Sequence, residues 1–131
     1  MMLLNSQDNE RLTNSKILWI STVSKNLTPH LVPVWHVLDN SKIYICIGEH
    51  SVKFHNIKGN PKVAFALEDG VNPLAGTGKV LFRNPDVDKD KVVIQKFKEK
   101  YDWDISIDKD YTMLVEIEIS KLFMRKNEQN N

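Results

Sequence analysis

Apolar and polar residues alternate in several short runs of the chain, which is the pattern of β-strands. In residues 42–48 three isoleucines alternate with Tyr44 and Cys46. Comparable runs predict strands over residues 17–23, 30–38, 62–68, 76–83 and 111–124. The turn sequence Asp39-Asn40-Ser41 lies between two of these runs and predicts a β-hairpin. The pattern therefore predicts six short strands.

Three segments have helical character. A short helix is predicted around residues 8–16, and a second over residues 51–58, where it begins at Ser51 and ends before Gly59-Asn60-Pro61. The third, over residues 86–101, places acidic residues first and lysines last, as the helix dipole favours. Its predicted apolar positions are Val87, Val92, Ile94 and Phe97.

Strands at hairpin spacing with few helices between them do not form βαβ units. The sequence therefore predicts a mainly β fold, a six-stranded antiparallel barrel with helices at its edges. Residues 1–131 are expected to form one domain, with a core over about residues 10–124 and a polar tail over 125–131. Pro33 interrupts the run 30–38; because proline donates no backbone hydrogen bond, it is expected at a sheet edge, at a bulge or beside a group other than a strand.

The composition excludes several classes of partner. The formal net charge of +1 gives no electrostatic case for nucleic acid, and no apolar run approaches the roughly 20 residues that span a bilayer. A single cysteine, Cys46, excludes an internal disulfide and a multi-cysteine metal site. His30 and His36, on one predicted strand, would lie about 20 Å apart and could not share a metal. We expect a cytoplasmic protein with no metal, membrane or nucleic-acid partner.

The pair Ser51 and Lys53 stands at the start of the second predicted helix and has two interpretations. In the first, Ser51 is a helix N-cap and Lys53 is solvated. In the second, the hydroxyl, the free N–H groups of the helix end and the ammonium bind a phosphate. A lysine in the first turn is mildly unfavourable for the helix itself, which favours a role outside it. The pattern alone leaves both interpretations open.

Other reactive or aromatic side chains have simpler interpretations. Cys46 lies in an apolar strand, where an inert buried thiol is expected. The three tryptophans at positions 19, 35 and 103 are expected to lie in the core. No side chain stands out as an obligatory acid or base, so the catalytic residues are unknown at this stage.

The order of these features resembles the pyridoxamine 5′-phosphate oxidase-like proteins, the FMN-binding split-barrel family. The matching segments are ILWISTVSKNLTPHLVPVWHVLDNSKIYICIG (17–48), SVKFHNIKGNPKVAFAL (51–67) and, more loosely, GTGKVLF (76–82). The resemblance implies a six-stranded split barrel, usually a homodimer, with a flavin in each of two clefts at the subunit interface. It also implies an oxidoreductase that transfers hydride or electrons through FMN to or from a small molecule.

The resemblance assigns the cofactor contacts to particular residues. Ser51 and Lys53 match the positions that hold the FMN phosphate, and Ile47 and Gly48 match the strand end beside the ribityl chain. Glycine at position 48 would permit a close approach of the backbone to the cofactor.

A third part of the implied site is the strand segment whose backbone lies along the isoalloxazine ring. This segment corresponds to Pro33, Val34 and Trp35. The position of Pro33 then has a reason, since the cofactor and not another strand would occupy that edge.

Family members differ in cofactor, so three alternatives accompany FMN. One is a reductase that uses the deazaflavin coenzyme F420, whose longer acidic tail would need the lysines at positions 58, 62 and 79. The second is a non-catalytic flavin-binding electron carrier or sensor. The third is a flavin-free barrel that serves as an interaction domain.

Overall fold

The computed structural model describes residues 4–123. The predicted strand end at residue 124 and the predicted tail over residues 125–131 lie outside the described residues. The elements in chain order are α1 (Ser6–Asn14), β1 (Leu18–Val23), β2 (Pro29–Val34), β3 (Val37–Asp39), β4 (Lys42–Ile47), α2 (Val52–Gly59), β5 (Lys62–Leu67), β6 (Ala75–Arg83), α3 (Lys91–Tyr101) and β7 (Met113–Phe123). Within residues 4–123, no helix has the length and apolar character needed to cross a membrane.

All strands belong to one antiparallel sheet in the order β2-β1-β5-β6-β7-β4-β3, so β2 and β3 are its outer strands. Only Trp35 and His36 separate Val34, at the end of β2, from Val37, at the start of β3. Three residue steps span at most about 11 Å. The two outer strands must therefore approach each other, and the sheet must curl. The fold is the predicted mainly β, antiparallel split barrel.

The strand count is seven, and the prediction of one strand over residues 30–38 is wrong. This run divides into β2, which pairs with β1, and β3, which pairs with β4 at the opposite edge. His30 and His36 therefore do not share a strand, and His36 is fully buried in the connection. Apolar residues continue through the break, so the hydrophobic pattern does not show it. The β3–β4 hairpin is confirmed, as is the position of Pro33 on an edge strand.

Two apolar clusters hold the elements together. The larger fills the barrel interior, where α1 contributes Leu12 and α2 contributes Phe54 and Ile57. The smaller lies on the outer face of β3 and β4, where Val93 and Phe97 of α3 pack against it. The helices therefore cover the barrel and also bring their ends close to the connection between the two outer strands.

The third helix begins later than predicted, at Lys91 and not at residue 86. Residues 86–90 form a turn, in which the backbone N–H groups of Asp88 and Lys89 donate to Asp86 Oδ1 at 2.9 and 3.0 Å. An aspartate that binds the next backbone N–H groups favours such a turn over helix. Val87 and Val92, predicted on the apolar face, are 63% and 57% exposed.

An ionic network fastens the start of α3 to the sheet. The Arg83 guanidinium donates to Asp90 Oδ1 at 2.7 Å and to Glu116 Oε1 at 3.2 Å. Glu116 also accepts from Lys42 Nζ at 3.3 Å and from the Tyr44 hydroxyl at 3.1 Å. Because Asp90 and Glu116 are both buried, their charges need these donors.

Replacing Arg83 with methionine is expected to lower the free energy of unfolding by about 1–2 kcal/mol. Loss of a partner from a fully buried pair has a larger effect, but the Arg83 side chain is 37% exposed and water screens part of the interaction. Urea denaturation at neutral pH measures the difference. Lys96→Met is the control, because the pair between Lys96 and Asp39, at 3.0 Å, is more exposed. An equal decrease in the free energy of unfolding in the two variants would contradict a special role of the Arg83 network.

Candidate functional site

A cleft with a volume of about 410 Å³ opens where the two outer strands approach each other. Four parts of the chain line it: the end of β2, the end of β4, the first turn of α2 and the loop between α3 and β7. Its lining residues are Pro33, Val34, Trp35, Cys46, Ile47, Lys53, Trp103, Asp108 and Tyr111. The volume and the mainly apolar lining with a few charged groups are typical of small-molecule sites.

The cleft contains most of the residues predicted to bind the cofactor. Five of the seven line it, namely Pro33, Val34, Trp35, Ile47 and Lys53. They come from three separate segments of the sequence, and the curl of the sheet brings them together. Gly48 and Ser51 do not line it.

Lys53 gives the cleft its positive charge. Its side chain is half-buried, and within residues 4–123 it forms no hydrogen bond and no ion pair. Burial lowers the pKa of its ammonium, which means that the protein surroundings disfavour the charge. An ammonium held in a cleft without a protein partner is suited to an anionic ligand.

Ser51 occupies the N-cap of α2. Its hydroxyl oxygen accepts from the backbone N–H of Phe54 at 3.2 Å, and its proton is donated to the carbonyl oxygen of Gly48 at 2.7 Å. The predicted N-cap role of Ser51 is thus confirmed, whereas Lys53 is half-buried and not fully solvated. The side chain faces a neighbouring depression that it shares with His50 and Lys58. Contact between Ser51 and a phosphate stays a prediction.

Gly48 lies where the end of β4 meets the loop between α3 and β7. A Cβ atom at this position would lie 3.0 Å from the carbonyl oxygen of Asp110. The absent side chain therefore lets the loop pack closely against the strand and form one wall of the cleft. The predicted place of Gly48 beside a ribityl chain is not tested by this contact.

The loop wall of the cleft consists of Trp103, Asp108 and Tyr111, which the sequence analysis did not select. The prediction that the tryptophans lie in the core is wrong for Trp35, which is 47% exposed and lines the cleft. Trp103 packs against the smaller apolar cluster and also lines the cleft, and Trp19 is half-buried on β1. Trp35 stacks on Tyr101 of α3, with ring centroids 4.6 Å apart. The loop has no apolar periodicity, so its position over the β2–β3 connection follows only from the fold.

Asp108 holds this loop in place. Its carboxylate accepts from the backbone N–H groups of Asp110 and Tyr111 and from Trp103 Nε1, each at 2.8 Å. These hydrogen bonds keep the pKa of the Asp108 carboxyl below its ordinary value, so it is ionised at neutral pH. The aspartate therefore fixes the Trp103 ring and adds a negative charge to the cleft.

Cys46 is the buried thiol that the sequence predicted. Burial, with a smaller contribution from the charge of Asp108, raises its pKa to about 12. The thiol donates to the carbonyl oxygen of Tyr111 at 3.2 Å. It is therefore protonated at neutral pH, as expected of an inert buried thiol.

Comparison with known proteins identifies the family. The family model described as pyridoxamine 5′-phosphate oxidase matches residues 4–126, nearly the whole chain. The chain belongs to the pyridoxamine 5′-phosphate oxidase family. Among curated proteins, none matches it significantly.

Several solved structures share the fold of this family member. They include HutZ, the haem storage protein from Vibrio cholerae, at 19% identity and a TM-score of 0.76, with 95% of this chain and 96% of that chain covered. An F420 reductase matches at 20% identity and a TM-score of 0.67, with 88% of this chain and 96% of that chain covered. General stress protein 26 from Bacillus anthracis matches at 17% identity and a TM-score of 0.67, with 89% of this chain and 90% of that chain covered. These identities establish the fold alone, and the activity has to be argued from the cleft.

Proposed function

We propose that this protein is a homodimeric FMN-binding oxidoreductase. The observation that carries the proposal is the Lys53 ammonium, which lies half-buried and has no partner among residues 4–123, in a cleft of suitable volume. The same cleft is lined by the segment from Pro33 to Trp35, which the resemblance to the family's flavoproteins assigns to the cofactor ring. A phosphate group would supply the missing partner of Lys53.

The residues of the cleft fit the parts of FMN. Lys53 would hold the phosphate, and the apolar side chains of Val34 and Ile47 would exclude water from the ring system. Because β2 is an outer strand, backbone groups near Val34 and Trp35 have no further strand to bind on that side. They would offer hydrogen bonds to the polar edge of the ring. The flavin, when bound, supplies the hydride or electron transfer.

Two titratable groups in the described lining of the cleft, Cys46 and Asp108, are not suited to acid–base catalysis at neutral pH. The pKa of Cys46 is raised to about 12, and that of Asp108 is lowered. The protein would therefore bind and orient the cofactor without supplying a proton from these groups. This supports transfer chemistry that depends on the flavin, and it is also compatible with the alternative of an electron carrier or sensor.

The choice of FMN over the deazaflavin coenzyme F420 rests on the number of cations in the cleft. Lys53 lines it, whereas the lysines at positions 58, 62 and 79 do not. A longer acidic tail would need more positive charge than a single ammonium. Parallel titrations with FMN and F420, followed by tryptophan fluorescence, test this choice. We expect stronger quenching and tighter binding with FMN, and the Trp35→Phe variant should lose much of the quenching.

Haem is less suited to this cleft. Haem iron in proteins is commonly held by histidine, cysteine thiolate or methionine, and in catalase by tyrosine. Among the described residues, the lining of the cleft contains no histidine and no methionine, its thiol is protonated, and Tyr111 is its one side chain of the catalase type. The similarity of the fold to HutZ therefore does not by itself favour haem here.

A homodimer would complete the cleft. Trp35 and Tyr111 are 47% and 49% exposed, although both are large aromatic residues of its wall, and Leu31 on the neighbouring face of β2 is 61% exposed. A second copy placed against this edge would cover these side chains and enclose a three-ring cofactor. Sedimentation of the FMN-loaded protein should give the mass of a dimer, and a monomer would contradict this part of the proposal.

A further inference from the structure

Lys100 is a half-buried lysine in the last turn of α3, and it does not line the cleft. Its ammonium donates to the carbonyl oxygen of His36 at 2.9 Å and lies 5.3 Å from the centre of the Tyr101 ring. Within residues 4–123 it forms no ion pair with a carboxylate. The proposed binding of FMN makes no use of this side chain.

A second ammonium lies beside Lys100. Lys16 Nζ donates to the carbonyl oxygen of Lys100 at 2.8 Å and lies 5.4 Å from the centre of the same Tyr101 ring. Lys16 is exposed, and it too has no ion pair in the described part of the chain. Hydrogen bonds to the backbone thus hold two positive charges around one ring, and no carboxylate pairs with either of them.

The surroundings of Lys100 favour its neutral amine. Burial, and to a lesser extent the charge of Lys16, lowers the pKa of the Lys100 ammonium from 10.5 to about 8. At pH 8 about half of the Lys100 side chains are then neutral, against about 0.3% for a lysine with the ordinary pKa. Desolvation and a neighbouring cation are the two means by which proteins activate a lysine as a nucleophile.

A depression of about 290 Å³ opens beside Lys100, between α3, the end of α1 and strand β3. Two other charged side chains line it. Lys96 is paired with Asp39 at 3.0 Å, and the Glu99 carboxylate accepts from Gln95 Nε2 at 3.1 Å. The depression gives a small reagent access to the Lys100 amine.

We propose that Lys100 is an acylation site and that its acyl donor is a small acyl phosphate. The Lys16 ammonium would bind the phosphate group, while the neutral Lys100 amine attacks the carbonyl carbon. A nitrogen–carbon bond forms, the bond from the carbonyl carbon to the phosphate oxygen breaks, and phosphate leaves with the electron pair of that bond. The proton released from the nitrogen passes to the solvent. The amide product keeps one N–H, which can still donate to the carbonyl oxygen of His36.

Acetyl phosphate tests the proposal on the unmodified protein at pH 8. Tandem mass spectrometry at early times gives the rate of acetylation at each lysine. Lys98 is the internal control, because it is exposed and lies in the same last turn of α3. We expect Lys100 to react about tenfold faster than Lys98. The larger fraction of neutral amine is partly offset, because a less basic nucleophile attacks more slowly.

The role of Lys16 is tested with two reagents. In Lys16→Met the rate at Lys100 should fall about fivefold with acetyl phosphate and by less with acetic anhydride, which carries no phosphate. Lys25→Met removes an exposed lysine of the β1–β2 turn and should leave the rate unchanged. A rate at Lys100 no higher than at Lys98 would overturn the proposal. An equal fall with the two reagents in Lys16→Met would overturn the choice of an acyl phosphate as the donor.

Discussion

Lys53→Met is expected to weaken FMN binding by about 10- to 100-fold, since a hydrogen bond to a charged group contributes about 1.5–3 kcal/mol. Methionine keeps the length and the apolar stem of lysine, so the shape of the cleft is retained. The dissociation constant follows from titration of the apoprotein against flavin fluorescence. The same variant should unfold at a higher urea concentration than the unmodified apoprotein, because it no longer buries an unpaired ammonium. Loss of affinity with a gain in stability is the mark of a residue that serves the ligand.

Lys58→Met is the matched control for this prediction. Lys58 belongs to the same helix, is exposed, and has its ammonium 5.0 Å from the centre of the Phe54 ring, outside the cleft. Its replacement removes the same charge from the protein and should leave FMN affinity unchanged. Equal weakening in both variants would indicate a general effect of net charge and would contradict a specific phosphate contact.

Acidification from pH 6.5 to pH 4 is expected to destabilise the protein through His36, by about 2–3 kcal/mol. The imidazole is fully buried, and its Nε2 donates to the carbonyl oxygen of Leu12 at 2.8 Å. Nδ1 is then an acceptor with no hydrogen-bond partner in the described part of the chain. Burial, together with the nearby charge of Lys100, lowers the pKa of His36 from 6.5 to about 4. Protonation would place an unpaired N–H and a charge in the interior.

The direction of this effect follows from proton binding. Below pH 6.5 the unfolded chain binds a proton at position 36 that the folded protein does not bind. The free energy of unfolding therefore decreases as the pH is lowered, until the folded protein is also protonated near pH 4. Urea denaturation of the unmodified protein and of His36→Gln across this range measures the effect. Glutamine keeps a donor for Leu12 but does not titrate, and the carboxylates titrate in both proteins. Parallel stability curves for the two proteins would contradict the assignment.

Much of the barrel could be predicted from local patterns. The six predicted runs contain all seven strands, although β2 and β3 were merged into one. The N-cap residue Ser51 and the Gly59-Asn60-Pro61 stop placed both ends of α2 within one residue. These features depend on neighbours in sequence, which is why a single sequence shows them. The division of residues 30–38 into two strands depends on which strand each half pairs with. That is a property of the closed sheet, and the run of apolar residues conceals it.

The cleft was predictable on one side and not on the other. Pro33 and Lys53 carry local signals, a missing N–H donor in a strand and a lysine at an unfavourable end of a helix. Asp108 carries none, because aspartates that bind nearby backbone N–H groups are common in turns. Its place in the cleft depends on the packing of the loop against Gly48, about 60 residues earlier in the chain. Sequence reasoning therefore identified the side of the cleft that contains Lys53 and missed the loop wall.

The central claim is that the cleft beside Lys53 binds FMN. Its most direct test is gel filtration of the purified protein after incubation with excess FMN, with the absorption spectrum of the protein peak recorded. The account predicts a yellow protein that carries one FMN per chain. A colourless protein peak, with all the flavin eluting in the small-molecule volume, would contradict it.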